Sequence, residues 1–191
     1  MAVMEPSASR IELQTGVLDP CGQVLRRRLS DMQAMFTNEA ARQELQAQEG
    51  DRLVYEVYVA EIPETGSHIL HCTTVIQPGR VADEFFMTKG HFHAVRDRAE
   101  IYLGLAGLGC MLVQTDEGET RLLEMQPGTL VYVPPFWAHR TINTGHEPFA
   151  LFAAWPGDAG HDYGTIETKG FAKILVARDG KAALVDNPRY A

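Results

Sequence analysis

The sequence predicts an all-β protein: one jelly-roll barrel with a short, peripheral N-terminal helical segment. Two observations lead to this. From Arg52 onward, short apolar or alternating runs follow one another and no long helical period returns, as expected for strands of a sandwich or barrel. The breaks between the runs carry turn chemistry, at Pro78-Gly79, Gly107-Leu108-Gly109, Asp116-Glu117-Gly118, Pro127-Gly128, Gly145 and Asp179-Gly180. Roughly ten short strands punctuated in this way fit a jelly roll.

In chain order, residues 1–50 are expected to form an arm and peripheral helices packed on the barrel, and residues 51–191 the barrel itself, as one structural domain. Arg26 to Gly50 reads as helix and connection. Ser30 can cap a short turn, and Thr37 or Asn38 can cap a segment ending near Gly50. Met32, Met35, Phe36 and Leu45 give this polar stretch one side to pack. The first barrel strand runs from Leu53 to Ala60 and presents Tyr55 and Tyr58 to opposite faces. Further strands are expected at residues 71–76, 84–87, 91–93, 100–105, 110–114, 120–125, 130–133, 139–143, 149–154 and 172–177. No repeat of fixed period and no low-complexity linker interrupts the series.

Composition narrows the function. A chain of 191 residues, 45% hydrophobic, is long enough to bury one substantial core. Its formal charge of −8 argues against general affinity for nucleic acid or anionic membrane, both of which need clustered cations. An anionic substrate therefore needs a local exception to that charge. Three widely spaced cysteines, Cys21, Cys72 and Cys110, suggest neither a disulfide framework nor a zinc knuckle, and are expected to be reduced and buried. The N-terminal residues show no signal-peptide pattern, and no apolar run approaches membrane-spanning length, so a cytoplasmic protein is expected.

His91 and His93 are two residues apart, a spacing that projects both imidazoles to one face of a strand. Alone, the pair is equally consistent with a metal site and with exposed or hydrogen-bonded histidines. Glu100 opens the next strand and His139 lies on a later one, so three strands can converge on one ion. Three imidazoles and a carboxylate suit iron, manganese, nickel or zinc.

The spacing of Glu100, Gly107, Gly128, Pro134, His139 and Asn143 resembles the motifs of the cupin superfamily. There are departures: six residues separate His93 from Glu100, more than in the commonest cupin motif, and Phe136 stands where a glycine is usual. The runs TKGHFHAVRDRAEIY (residues 88–102), YVPPFWAHR (132–140) and DAGHDYGTI (158–166) resemble the cupin-type phosphoglucose isomerases of archaea and some bacteria. The resemblance extends from about Leu29 to Pro188.

The resemblance implies a metal-dependent interconversion of glucose 6-phosphate and fructose 6-phosphate in glycolysis and gluconeogenesis. His91, His93, Glu100 and His139 would hold one divalent ion per subunit, iron(II) first, with nickel, manganese or zinc as alternatives. Glu100 would also move a proton between C1 and C2 through a metal-stabilised cis-enediolate, with a hydride shift as the rival mechanism. Tyr102 and His161 would lie near the sugar, in hydroxyl contacts or ring opening. Tyr55, Thr74, Thr88, Gly90 and Tyr163 would receive the phosphate, with Lys89 nearby; the bland reading of the threonines is as ordinary strand residues. Arg96 and Arg98, flanked by acids, read as surface ion pairs. Phe136 and Trp155 replace tyrosines expected in some members, which bears on substrate preference. The family also implies a homodimer paired through sheet edges.

Three other readings share the fold: an iron-dependent cupin dioxygenase, a non-catalytic sugar-binding cupin, and a mannose-6-phosphate isomerase. Oxygen consumption, absence of turnover, and substrate preference, respectively, would distinguish them.

Overall fold

The computed structural model describes residues 4–190. The chain begins with two short strands, β1 (Arg10–Ile11) and β2 (Leu18–Asp19), and the longer β3 (Gln23–Arg28). A 3-10 turn (Leu29–Met32) and helix α1 (Glu39–Glu49) lead to β4 (Leu53–Val59) and β5 (Ile69–Ile76). Next come β6 (Arg80–Val81), β7 (Glu84–Phe85), β8 (Glu100–Ala106), β9 (Gly109–Gln114), β10 (Thr120–Met125) and β11 (Leu130–Val133). The chain continues through β12 (Ala138–Asn143), β13 (Phe149–Pro156), helix α2 (Gly164–Lys169), β14 (Lys173–Arg178) and β15 (Lys181–Asp186).

The strands form a six-stranded sheet in the order β11-β8-β13-β5-β4-β3, faced by β10-β9-β12 and by β15-β14-β7-β6. All recorded strand pairs are antiparallel, and non-sequential neighbours such as β8, β13 and β5 give the crossed connections of a jelly roll. Ile76 and Leu151 from the large sheet share one buried cluster with Met111, Ile142 and Phe86. Each such side chain contributes about 1.5–3 kcal/mol by leaving water.

The helix at residues 39–49 follows its local signals. Asn38 accepts the N–H of Ala41 with its side chain, and Gly50 takes a positive φ at the C-terminus. Tyr55 is buried, whereas the Tyr58 hydroxyl donates to Glu56 on the other face of β4. Three expectations need correction. Arg26 to Arg28 are not helix or connection but the end of β3, an edge strand whose residue Arg27 pairs with Tyr55 of β4. Residues 91–93 form no ladder: His91 bridges His139 and Phe92 bridges Asp162, so the partner changes after one residue and pairing cannot propagate. Cys21 is only partly buried, unlike Cys72 and Cys110, although all three are free thiols. Helix α2 and strands β1, β2, β6 and β15 are additions to the expected series.

Candidate metal centre and its cavity

His91, His93, Glu100 and His139 come together with their ligand atoms all within 4.8 Å of one another. Backbone pairing sets this arrangement. The N–H of His91 donates to the carbonyl of His139 at 3.2 Å, and the N–H of His139 returns to the carbonyl of His91 at 3.0 Å. The rings of His91 and His139 meet edge to face, with centroids 4.4 Å apart. Glu100 begins β8 in the opposite sheet, so its carboxylate crosses the interior to reach the imidazoles.

The unused faces of the imidazoles fit a metal. Nδ1 of His93 lies 2.9 Å from the carbonyl of Arg98, and Nδ1 of His139 lies 3.4 Å from that of Trp137. A ring N–H donated outward leaves the Nε2 lone pair free for an ion. The Nε2 atoms of His91 and His139 are buried without a hydrogen-bond partner among the described residues. Nε2 of His139 approaches Glu100 Oε2 to 2.9 Å, close enough for both atoms to face one ion but without the geometry of a hydrogen bond. Two orphaned, buried nitrogens beside a buried carboxylate make a donor set for a divalent ion.

The electrostatics agree. Burial pushes the His91 pKa well down, reinforced by His139 and His161, so His91 is neutral. Burial opposes ionisation of Glu100, yet the imidazoles of His139 and His93 outweigh it and hold the carboxyl far below its usual range. Burial and the Glu100 charge push the Tyr102 hydroxyl well above its usual pKa, so it remains protonated.

The centre opens into a cavity of about 380 Å³. Every residue singled out from the sequence as a sugar or phosphate contact lines it: Tyr55, Thr74, Thr88, Gly90, Tyr102, His161 and Tyr163. Tyr163 is 40% exposed and stacks on His161, with centroids 5.7 Å apart and planes within 8°, placing the pair at the rim. Gly90 has φ +73°, and a Cβ there would lie 2.9 Å from Phe171 and 3.0 Å from the carbonyl oxygen of His139. Glycine is required both by the left-handed backbone and by this close approach. The Thr88 hydroxyl accepts the N–H of Thr141 at 3.1 Å, so part of its capacity is already used.

Of the two departures from tyrosine, Trp155 lines the cavity, and its buried Nε1 has no acceptor among the described residues. Phe136 lies outside the lining, is 57% exposed and holds φ +71°, the left-handed conformation that a glycine would adopt more readily.

The bracing around the site has little signature in the sequence. Arg96 pairs with Asp162 at 2.8 Å and lies over the Phe92 ring, fixing the strip that carries His161 and Tyr163. Arg98 forms a two-point pair with Asp158, at 2.9 and 2.8 Å. The buried Arg140 donates to the carbonyl of Lys89 at 2.6 Å, clamping the backbone just before Gly90. Arg96 and Arg98 lie three and five residues beyond His93 and Arg140 directly follows His139, and a charge near a motif histidine does not by itself distinguish bracing from surface pairing.

Comparison with known proteins agrees with the geometry. The family model described as Glucose-6-phosphate isomerase matches residues 26–191. A Thermococcus litoralis protein named glucose-6-phosphate isomerase is 52% identical over 190 residues, covering 100% of this chain and 99% of its own. A Pyrococcus horikoshii protein of the same name is 53% identical over 186 residues, covering 97% of each chain. With a family match of that length and relatives more than half identical from end to end, the chain belongs to the glucose-6-phosphate isomerase family, in its cupin-type branch.

Proposed function

We propose that this protein interconverts glucose 6-phosphate and fructose 6-phosphate in glycolysis and gluconeogenesis, using one divalent ion held by His91, His93, Glu100 and His139. The observation that carries this is the pair of buried, unpartnered Nε2 atoms next to Glu100 in a cavity of sugar-phosphate size, in a chain of this family. When bound, the ion supplies Lewis-acid polarisation of the sugar carbonyl. Glu100 removes the proton from C2 of the open-chain aldose and returns it to C1, while a proton passes from O2 to O1, so the product is an isomer and nothing is oxidised overall. Tyr102, with its raised pKa, donates a hydrogen bond to a sugar oxygen, and His161 assists ring opening from the rim. Tyr55, Thr74, Thr88, Gly90 and Tyr163 receive the phosphate.

The ion we favour is iron(II), since imidazole and carboxylate ligands suit it, with nickel and manganese the nearest substitutes. The protein acts in the cytoplasm; no helix among the described residues is long and apolar enough to cross a membrane. It works as a homodimer. Leu130, Tyr132 and Ile101 stand exposed on the outer face of the six-stranded sheet, with Tyr132 directly beside Ile101 across the β11–β8 pair, and a second copy would cover them.

The test is conversion of fructose 6-phosphate to glucose 6-phosphate by purified protein before chelation, after it, and after each metal is restored. Activity that disappears with chelator and returns with metal supports the assignment. A metal-loaded protein that turns over neither sugar phosphate overturns it.

A further inference from the structure

The overall charge of −8 leaves unexplained how this cavity holds an anion, and the answer lies on β3. Its three consecutive arginines have different surroundings. Arg26 pairs with Glu56 at 3.1 Å, and Arg28 donates to the carbonyl of Asp51 at 2.8 Å. Arg27 has no carboxylate partner among the described residues; it makes a 3.4 Å contact to the carbonyl of Arg26 and hydrogen-bonds toward the Tyr55 hydroxyl. Strand alternation turns Gln23, Leu25 and Arg27 together into the cavity, opposite Val59, Val57 and Tyr55 of β4.

Arg27 is the register partner of Tyr55. Burial pushes the Tyr55 hydroxyl up to about 12 and raises that of Tyr163; Arg27 opposes both shifts, so its charge is felt at both hydroxyls. The other cations of the lining are engaged. Lys89 faces Glu167 at 3.6 Å, and Arg140 is spent on the carbonyl of Lys89. A partly buried guanidinium with free donors, beside two protonated phenols and the open backbone of Gly90, fits a tetrahedral dianion.

We propose that Arg27 is the specificity-determining cation of this cavity, binding the phosphate monoester of the substrate through charge-assisted hydrogen bonds. This rests on the sugar-phosphate reading above and adds a residue to the hydroxyl and backbone donors named there. Arg27 makes the cavity selective for phosphorylated sugars, and takes no part in moving the proton.

The test compares wild type, Arg27→Met, Arg27→Lys and, as an outward-facing control of equal charge change, Arg26→Met, all metal-loaded with metal content verified. Two quantities are read: KM and kcat for fructose 6-phosphate, and the Kd for inorganic phosphate by calorimetry. Arg27→Met should raise KM and the phosphate Kd together by about 10- to 100-fold, with kcat falling far less. Arg27→Lys should recover part of the loss, and Arg26→Met should change neither quantity. If Arg27→Met stays within about twofold of wild type in both quantities, or wild type binds no phosphate, the assignment is overturned. Phosphate bound in an Arg27-dependent way by a wild type that turns over neither sugar phosphate would overturn the isomerase reading alone.

Discussion

Nε2 of His93 lies 3.0 Å from Oε2 of Glu100, while Nδ1 of the same ring is fixed 2.9 Å from the carbonyl of Arg98. The histidine is thus oriented from behind by the backbone of the loop that leads to the glutamate. Six residues separate the two side chains, and the loop is held by the pairing of Arg98 with Asp158. In Glu100→Gln the shape is kept and the charge lost. The expected outcome is a fall in kcat of at least about 100-fold, because a general base is removed. Metal retention after dialysis should fall as well, with the folded circular dichroism spectrum unchanged. A variant that keeps both activity and metal would exclude Glu100 from either role.

Gly90 gives a second expected outcome. An alanine there must adopt φ +73° and push its Cβ against Phe171, the Cβ of Arg140 and the carbonyl oxygen of His139. Strain of this kind costs on the order of 1–3 kcal/mol. The segment carrying His91 should shift to relieve it, so Gly90→Ala is expected to lose metal affinity and activity together. Metal titration followed calorimetrically checks this; an unchanged titration would show that the backbone position of Gly90 does not control the centre.

How far the sequence could be read depends on how local each signal is. The caps at Asn38 and Gly50 were legible because capping joins neighbours in sequence. Strand β3 was not, because its inward residues are Gln23, Leu25 and Arg27, only one of them apolar, so the alternation carries no hydrophobic signature. Arg27 acquires its position only by pairing with Tyr55, a contact set by the sheet. The four candidate ligands were readable from residue type and motif resemblance. The carbonyls of Arg98 and Trp137 that orient two of them were not, because a backbone acceptor leaves no trace in side-chain identity.

Glu84 predicts a pH dependence away from the metal centre. Its Oε2 accepts both the N–H and the hydroxyl of Thr37 at 2.9 Å, while Oε1 is buried without a partner. Burial pushes the carboxyl pKa above its usual value, and the Thr37 donors offset this only in part. Between the unfolded pKa, about 4.3, and the raised folded value, the folded state binds more protons. Stability therefore falls as pH rises through that window, and the loss persists at neutral pH. Glu84→Gln keeps an acceptor for Thr37 and cannot ionise. In urea titrations of the metal-free proteins at matched concentration, the stability of the variant minus that of wild type should rise between pH 4 and pH 7. A difference that is flat or falls with pH would contradict the shift.

Asn143 occupies a motif position, but its structural task is to fold a corner. The side chain is fully buried and donates to the carbonyls of Ile76 and Glu147, each at 2.9 Å, while its Oδ1 accepts the N–H of Gly145, also at 2.9 Å. Removing it takes a partner from three backbone groups: the buried carbonyl of Ile76, the more open carbonyl of Glu147, and the N–H of Gly145, which keeps the carbonyl of Leu108 at 3.2 Å. Asn143→Ala is expected to cost about 3 kcal/mol, since each unsatisfied group costs about 1–3 kcal/mol and some will find water. For a chain of this length that lowers Tm by roughly 6–12 °C. Asn143→Asp should be worse at neutral pH: the carboxylate preserves the contact to Gly145 but sets an anionic oxygen against the carbonyls of Ile76 and Glu147, where Asn143 supplied two N–H donors. Activity per metal-loaded molecule should be unchanged in Asn143→Ala below its Tm, because Asn143 does not line the cavity. Activity lost at full metal occupancy and with native thermal stability would instead place Asn143 in the chemistry.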